Sequence, residues 1–453
     1  MRRILAAAAL LPLTAVSPPS ARGPLSHAEA APNILVIVTD DQRLGTVTPL
    51  PEIRRRFRAE GVEYPNATAS TPVCCPSRAS IMSGRYAHNH GVHDNHQADA
   101  FDEAGSVQRY LHEAGYRTGI LGKFLNGWDL ERNPAYLDDW AIFTSSSNYH
   151  RSTWNVNGTV RSVPEYSTTF LRHRVVRYLE ESEASDDAPW FLLVAPAAPH
   201  APAQAEDRYR HVPFPAWPGN PATREADRSD KPPYLQARPA ARPLAGVMRR
   251  QLRTLLSVDL LVATVFDRLE ELGEQDTLAL FLSDNGFLLG EHGWTGKGVP
   301  YRASIGIPFF LRWPGRIAGG TSDDALVGTI DVAPTVLDAA GLGQATLETE
   351  MDGRSLLGPI ERDAMLSEFW TAGGPVPTWA SIRTPAAQYV EYEVEPGLVT
   401  FREYYDLVSD PWQLTNLLGD DDPTNDPPDV ADLAARLAAL RRCAGTTGPA
   451  GCS

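Results

Sequence analysis

The stretch Asn33-Ile34-Leu35-Val36-Ile37-Val38-Thr39-Asp40-Asp41 decides the fold. Its run of branched aliphatic residues shows no polar alternation, so the strand it predicts is buried on both faces, as in a parallel sheet covered by helices. Two carboxylates follow directly, at the strand end where open α/β sheets bind ligands. Further strands are predicted over Tyr116–Gly122, Trp190–Val194, Thr277–Leu282 and Pro308–Trp313. They alternate with helices over Pro51–Ala59, Ser106–Ala114, Thr168–Glu181, Val247–Leu272 and Asp331–Ala340. The alternation predicts an α/β fold, a large mostly parallel sheet sandwiched by helices. A Pro-rich stretch from Ala201 to Pro243 is too long for a simple connection and is expected to border the active site.

From Met365 the texture changes to short strands, Met365–Phe369, Trp379–Arg383, Gln388–Tyr392 and Glu403–Leu407, closed by a helix over Asp429–Arg442. This predicts a small C-terminal α+β subdomain with an antiparallel sheet over residues 361–453, after a catalytic domain over residues 31–360. At the other end Arg2 and Arg3 precede an apolar run from Ile4 to Val16, and Ala28-Glu29-Ala30 offers a small-x-small cleavage site. Residues 1–30 therefore read as a signal peptide, too short to span a bilayer, and the mature chain is expected to be exported, either secreted or held in the cell envelope, with no membrane partner. In an oxidising compartment Cys443 and Cys452, close together in a Gly-rich tail, are expected to form a small disulfide loop. The net charge of −15 argues against nucleic acid as a partner. Arg54-Arg55-Arg56 and Arg249-Arg250 read as solvated helix faces.

The reactive signal is Thr71-Pro72-Val73-Cys74-Cys75-Pro76-Ser77-Arg78-Ala79-Ser80-Ile81-Met82-Ser83-Gly84. Pro76 suits a first helical turn and Gly84 the position past a helix end, which places Cys74 at a helix N-terminus. The unpaired N–H groups there and the charge of Arg78 favour a tetrahedral oxyanion. The motif resembles the Cys-x-Pro-Ser-Arg signature of the sulfatase family, and its continuation through Arg85 to Val92 looks most like the N-acetylglucosamine-6-sulfatase branch. Asp331-Val332-Ala333-Pro334-Thr335, Asp352-Gly353-Arg354 and Tyr405-Asp406-Leu407 carry the likeness onward. The resemblance implies an alkaline phosphatase-like fold and conversion of Cys74 to Cα-formylglycine by a formylglycine-generating enzyme. The hydrated aldehyde would then attack a sulfate ester on a carbohydrate.

Asp40-Asp41 after one strand and Ser283-Asp284-Asn285-Gly286 after another make an all-oxygen set suited to Ca²⁺ or Mg²⁺ rather than zinc. Taken singly, Asp-Asp reads equally as a turn or cap and Asn-Gly as a turn. The resemblance assigns Asp40, Asp41, Asp284 and Asn285, together with residue 74, to a divalent ion, calcium with magnesium as the alternative. It also implies that Arg78, Lys123 and Lys297 neutralise sulfate charge, that His200 touches the ester, and that Asn126 and His292 contact substrate. Two departures from the family pattern fall on the substrate side. Leu125 stands where many members have histidine, with Asn126 as its replacement, and Tyr301 is followed by Arg302 where an acid is common. His88, His90, His93 and His96 crowd the segment after the cysteine helix, yet lack the setting of a zinc site and read as pocket lining or surface. Two other readings stay open: a phosphodiesterase or phosphonate monoester hydrolase on the same fold, and a noncatalytic binder of sulfated glycans.

Overall fold

The computed structural model describes residues 31–145, 148–184, 188–240, 242–342, 351–420, 422–446 and 451–452. The predicted signal peptide lies outside the described residues. Residues Pro32–Ser453 form one compact unit.

The main sheet has ten strands: β1 (Ile34–Thr39), β2 (Val62–Glu63), β3 (Arg117–Lys123), β4 (Asp139–Phe143), β5 (Ser152–Val156), β6 (Thr159–Val163), β7 (Trp190–Ala195), β8 (Leu278–Ser283), β11 (Phe309–Arg312) and β12 (Thr321–Ser322). A separate short pair is made by β9 (Leu288–Leu289) and β10 (Thr295–Gly296). Spatial order in the main sheet is β12-β2-β11-β8-β1-β7-β3-β4-β5-β6. The middle of the sheet, β8-β1-β7-β3-β4, is parallel throughout. All six residues of β1 are buried, with Ile34, Val36 and Val38 in one core and Leu35 and Ile37 in the other. Helices Ser167–Glu183 and Ala245–Leu272 cover the second core through Leu171, Val175, Val258 and Val262. Helices Cys74–Ser83, Val107–Glu113 and Val332–Ala339 cover the first through Ile81, Leu111 and Val336.

The flanks depart from the expected pattern. Strand β11, expected within the sheet, runs antiparallel to β8, and β4 to β6 form an antiparallel extension that the residue pattern did not point to. Arg54–Ala59 is a π-helical continuation of Pro51–Ile53. Arg56 is not solvated: it is 2% exposed and ion-paired with Asp267 at 2.8 Å and with Glu270. Beyond the main sheet, β13 (Met365–Phe369), β14 (Thr378–Arg383), β15 (Ala387–Glu395) and β16 (Leu398–Asp406) form a four-stranded antiparallel meander. Helix Val430–Leu440 packs Leu433, Leu437 and Leu440 against it, and the disulfide Cys443–Cys452 is buried in the same core. Asp352 ties this region to the cysteine helix, accepting hydrogen bonds from the Tyr86 and Gly445 amides at 2.7 Å each. Asp331 is likewise structural, paired with both terminal nitrogens of Arg362 at 2.7 and 2.8 Å.

Candidate active site

Extended Val73 turns the chain into the helix Cys74–Ser83, and Gly84 at φ 67° ends it. A Cβ on Gly84 would approach Met351 Sδ to 2.8 Å, so both the conformation and the packing call for glycine there. Cys74 occupies the first helical position at 1% exposure, beside the C-terminal ends of β1 and β8. Its Sγ donates to Asp40 Oδ1 at 3.3 Å and accepts from Lys297 Nζ at 2.6 Å. Burial first, then the Asp40 charge, pushes the thiol up to about 12 against the pull of Lys123 and Lys297. At neutral pH the unmodified sulfur is therefore a thiol and a poor nucleophile.

Around it stand three carboxylates and three cationic side chains. Asp40 Oδ2 accepts from Lys123 Nζ at 2.7 Å, with both side chains fully buried. Arg78 pairs with Asp284 Oδ2 at 2.9 Å and donates to the Lys123 carbonyl at 2.9 Å. Lys297 Nζ donates to Asp41 Oδ1 and to Asn285 Oδ1, the latter at 3.3 Å. Asp41 adopts φ 66°, a left-handed conformation uncommon outside glycine. Hydrogen bonds from its amide to Asp284 Oδ1 at 3.1 Å, and from Asn285 Nδ2 to its own Oδ1 at 2.7 Å, hold it there. Burial opposes ionisation of Asp40, but Lys123, His200, Arg78 and Lys297 outweigh it and hold that carboxyl well below the usual range. Asp284 moves the other way, raised by burial and by the Asp40 charge more than Arg78, Lys297 and Lys123 lower it.

A metal-ligating group follows from the geometry. Asp40, Asp41, Cys74 and His200 each offer a ligand atom, all within 4.8 Å of one another. His200 belongs to this group, with Nε2 at 3.7 Å from Asp41 Oδ2, whereas Asp284 leans toward Arg78. Two of the four donors are hard carboxylate oxygens, the Asp284 carboxylate and the Asn285 amide stand beside them, and an ammonium already sits among Asp41, Asn285 and residue 74. Such a place fits a hard divalent cation.

The remaining sequence-derived residues separate. Asn126 lies close to the cysteine helix: its carbonyl accepts from Cys75 Sγ at 3.7 Å, and its Oδ1 is buried without a partner among the described residues. The Cys75 amide donates to Asn95 Oδ1 at 3.0 Å. His292 faces other partners, with Nδ1 at 3.0 Å from Glu225 Oε2 and its ring 4.2 Å from that of Tyr301. The histidine-rich segment forms no metal group among the described residues. His90 is buried, its pKa lowered to about 3 chiefly by desolvation, with Nε2 at 3.0 Å from Ser80 Oγ, while His93 stacks on Trp370 and His88 meets Glu368. Sequence reasoning passed over Arg43, two residues beyond Asp41, whose guanidinium lies over the Trp217 ring and reaches Glu291 at 2.7 Å. An arginine following the Asp-Asp-Gln phrase was the available signal.

Known proteins share much of this chain's sequence and fold. The "N-sulphoglucosamine sulphohydrolase, C-terminal" family matches residues 290–442. The N-acetylglucosamine-6-sulfatase of Homo sapiens is 30% identical over 490 residues, covering 92% of this chain and 85% of that protein. An extracellular sulfatase SULF-1 homolog of Drosophila melanogaster is 33% identical over 354 residues, and the chain spans 31% of that protein's length. Among solved structures, a complex with its substrate D-glucosamine-2-N,6-O-disulfate superposes with a TM-score of 0.73 at 23% identity, covering 91% of this chain and 97% of that one. The phosphonate monoester hydrolase of Agrobacterium radiobacter gives 0.69 at 21% identity, covering 90% of this chain and 96% of that one. At such identities these structures establish a shared fold. The sulfatase family matches residues 32–342, from β1 through the cysteine helix to the Gly290–Lys297 loop, and the chain belongs to that family.

Proposed function

We propose that the protein is a secreted sulfatase that hydrolyses sulfate monoesters on a sulfated amino sugar or glycan. Residue 74 would be converted to formylglycine by a formylglycine-generating enzyme, and calcium, or magnesium in its place, would be held by Asp40, Asp41, Asp284 and Asn285. The observation that carries this reading is the one buried cluster in which Cys74, at a helix start, meets three carboxylates, an amide and three cationic side chains. When in place, the aldehyde hydrate supplies an oxygen nucleophile with an internal exit for sulfate, and the cation supplies polarisation.

The chain's own groups do the rest. Carboxylates and cationic side chains balance in number, so a divalent ion leaves the pocket with surplus positive charge, suited to an incoming sulfate. Lys123 fixes Asp40 from the fully buried side, whereas Lys297, 17% exposed and 2.6 Å from the Cys74 sulfur, would be the ammonium that meets a sulfuryl group at residue 74. His200 is 27% exposed at the rim, with Nδ1 at 2.7 Å from the Ala201 carbonyl, which leaves Nε2 pointing at the cluster for proton transfer to a departing alcohol. The relatives named for N-acetylglucosamine-6-sulfate support an amino-sugar substrate. The extracellular relatives and the leader pattern support export, and among the described residues no helix is long and apolar enough to cross a membrane.

Expression with and without a formylglycine-generating enzyme tests the reading. Hydrolysis of N-acetylglucosamine-6-sulfate and of an aryl sulfate should track the fraction of residue 74 found as formylglycine by peptide mass spectrometry. Cys74→Ala should abolish turnover with an unchanged melting curve, while Cys75→Ala keeps activity. Full activity with residue 74 still cysteine would overturn the mechanism. Faster cleavage of an aryl phosphonate than of the sulfate would move the assignment to phosphonate hydrolysis.

A further inference from the structure

A second concave site opens beside the reactive cluster. It is a cavity of about 330 Å³ bordered by Arg43, Asn220, Glu291, Arg302 and Trp412. Three stretches of chain lead into it from the cluster: Asp41 to Arg43, Lys297 back to Glu291, and Lys297 forward to Arg302. The two residues from Asp41 to Arg43 span at most about 7 Å, within the dimensions of one saccharide unit and its substituents.

Its polar groups are set for an anion. Arg43 is 7% exposed, held by the face of Trp217 at 4.6 Å and by Glu291 at 2.7 Å. Those contacts leave its Nε and Nη1 buried without a hydrogen-bond partner among the described residues. Buried, unsatisfied guanidinium donors are costly in a folded protein unless an acceptor arrives. Glu291 is not free to attract a cation, since it also accepts from Asn220 Nδ2 at 2.9 Å and from the Leu289 amide at 2.6 Å. Arg302, half-buried in the same lining, has no ion-pair partner among the described residues, and burial alone lowers its pKa. It is the residue that replaces the acid common at this position in the family pattern. At the mouth Trp412, 40% exposed, offers an apolar platform beside these charges.

We infer that this cavity is an anion-recognising subsite, in which Arg43 and Arg302 bind a second negatively charged group on the same saccharide whose sulfate ester meets residue 74. The inference rests on the sulfatase reading for its substrate and names the class more closely: a saccharide with at least two anionic groups. The planar fork of arginine fits a sulfate or a carboxylate alike, so an N-sulfate and a neighbouring uronate are the two sources of that chemistry.

Equilibrium binding to the Cys74→Ala protein, which leaves the ester intact, tests this without turnover. The probes are N-acetylglucosamine-6-O-sulfate, glucosamine-2-N,6-O-disulfate and a 6-O-sulfated disaccharide carrying a uronate. At least one doubly charged probe should bind more tightly than the singly charged one, and the arm that gains identifies the anion. Arg302→Gln in the same background should remove that gain by about tenfold or more, with Arg302→Lys retaining part of it. Because Arg43→Gln removes the ion pair with the buried Glu291, Arg43→Lys is the companion variant, checked by its melting curve. No gain from either second anion, or a gain untouched by Arg302→Gln, would overturn the subsite. Failure of formylglycine-bearing protein to hydrolyse any sulfate ester would instead fell the reaction, which keeps the two failures distinct.

Discussion

Lys123 and Asp40 show how single side chains set the character of the centre. Both are fully removed from solvent, so each charge depends on the other for what water no longer provides. Replacing Lys123 by methionine keeps most of the volume and removes the charge. Loss of one partner from a buried pair costs about 3–5 kcal/mol, and since Lys297 and Arg78 still act on Asp40, the lower end is expected. Urea unfolding of Lys123→Met at neutral pH measures it, and a loss under about 1 kcal/mol, small beside a buried pair, would mean that the other cations suffice. At this scale the sequence was informative where a residue's address follows from a strand or helix end: Asp40, Asp41, Asp284, Cys74 and Lys123 each follow directly from such an end or form one. It was silent on partners. That Asp284 would face Arg78 is settled by how the cysteine helix docks on the end of β8, and that His200 would join the ligand group and His292 turn to Glu225 by the packing of non-adjacent segments, which no local pattern fixes.

Elements were legible in proportion to their burial. Strands β1, β7 and β8, buried at every residue, stand out as unbroken apolar runs, and the 28-residue helix Ala245–Leu272 as a long amphipathic repeat. The hairpin β5–β6 did not, because four of the five residues of β6 are not buried and its pattern is that of a surface strand. Its signal was the turn: Asn157 and Gly158 both take positive φ, 48° and 84°, the pair that a tight two-residue hairpin requires. The short helix Ala87–His90 couples elements in a way that carries a pH dependence. His88 Nδ1 lies 3.0 Å from Glu368 on β13, and Nε2 lies 3.0 Å from the Cys443 carbonyl in the tail. Burial lowers the His88 pKa, but the hydrogen bond and charge of Glu368 outweigh it, so the folded value lies above the unfolded 6.5. The folded state thus binds the proton more tightly. This contribution is complete below pH 6.5 and is lost as pH rises through the folded pKa. The melting temperature of the wild type should decline over that interval relative to His88→Gln, whose curve should be flatter. Parallel curves for the two proteins would mean that His88 does not titrate in concert with folding.

At the scale of the whole molecule, the reactive cluster joins parts of the chain that are far apart in sequence. Asp40 and Asp41 end β1, Asp284 and Asn285 follow β8, Cys74 begins a helix on one face of the sheet, and Lys297 comes from the loop after β10. The ion proposed for these groups would bind the folded chain and not the unfolded one, and so would add stability by mass action, about 2.7 kcal/mol at a hundredfold excess over Kd. The cationic side chains already offset the carboxylates, so the fold does not require the ion, and metal-free protein should remain folded. Calcium should raise the melting temperature by several degrees over chelator, with about one divalent ion retained per chain, the stoichiometry of a single site. Asp284→Ala separates the ion's contribution from that of the carboxylate. It relieves repulsion with Asp40 but strands Arg78, a fully buried partner at 2.9 Å. Because Asp284 is one of the proposed ligands, the variant should lose the calcium-dependent shift, and because Arg78 is left without that partner it should, in chelator, melt no higher than the wild type. Differential scanning calorimetry in calcium and in chelator, paired with metal analysis, reads both quantities. An undiminished calcium shift in Asp284→Ala would place the ion elsewhere than at the joined ends of β1 and β8.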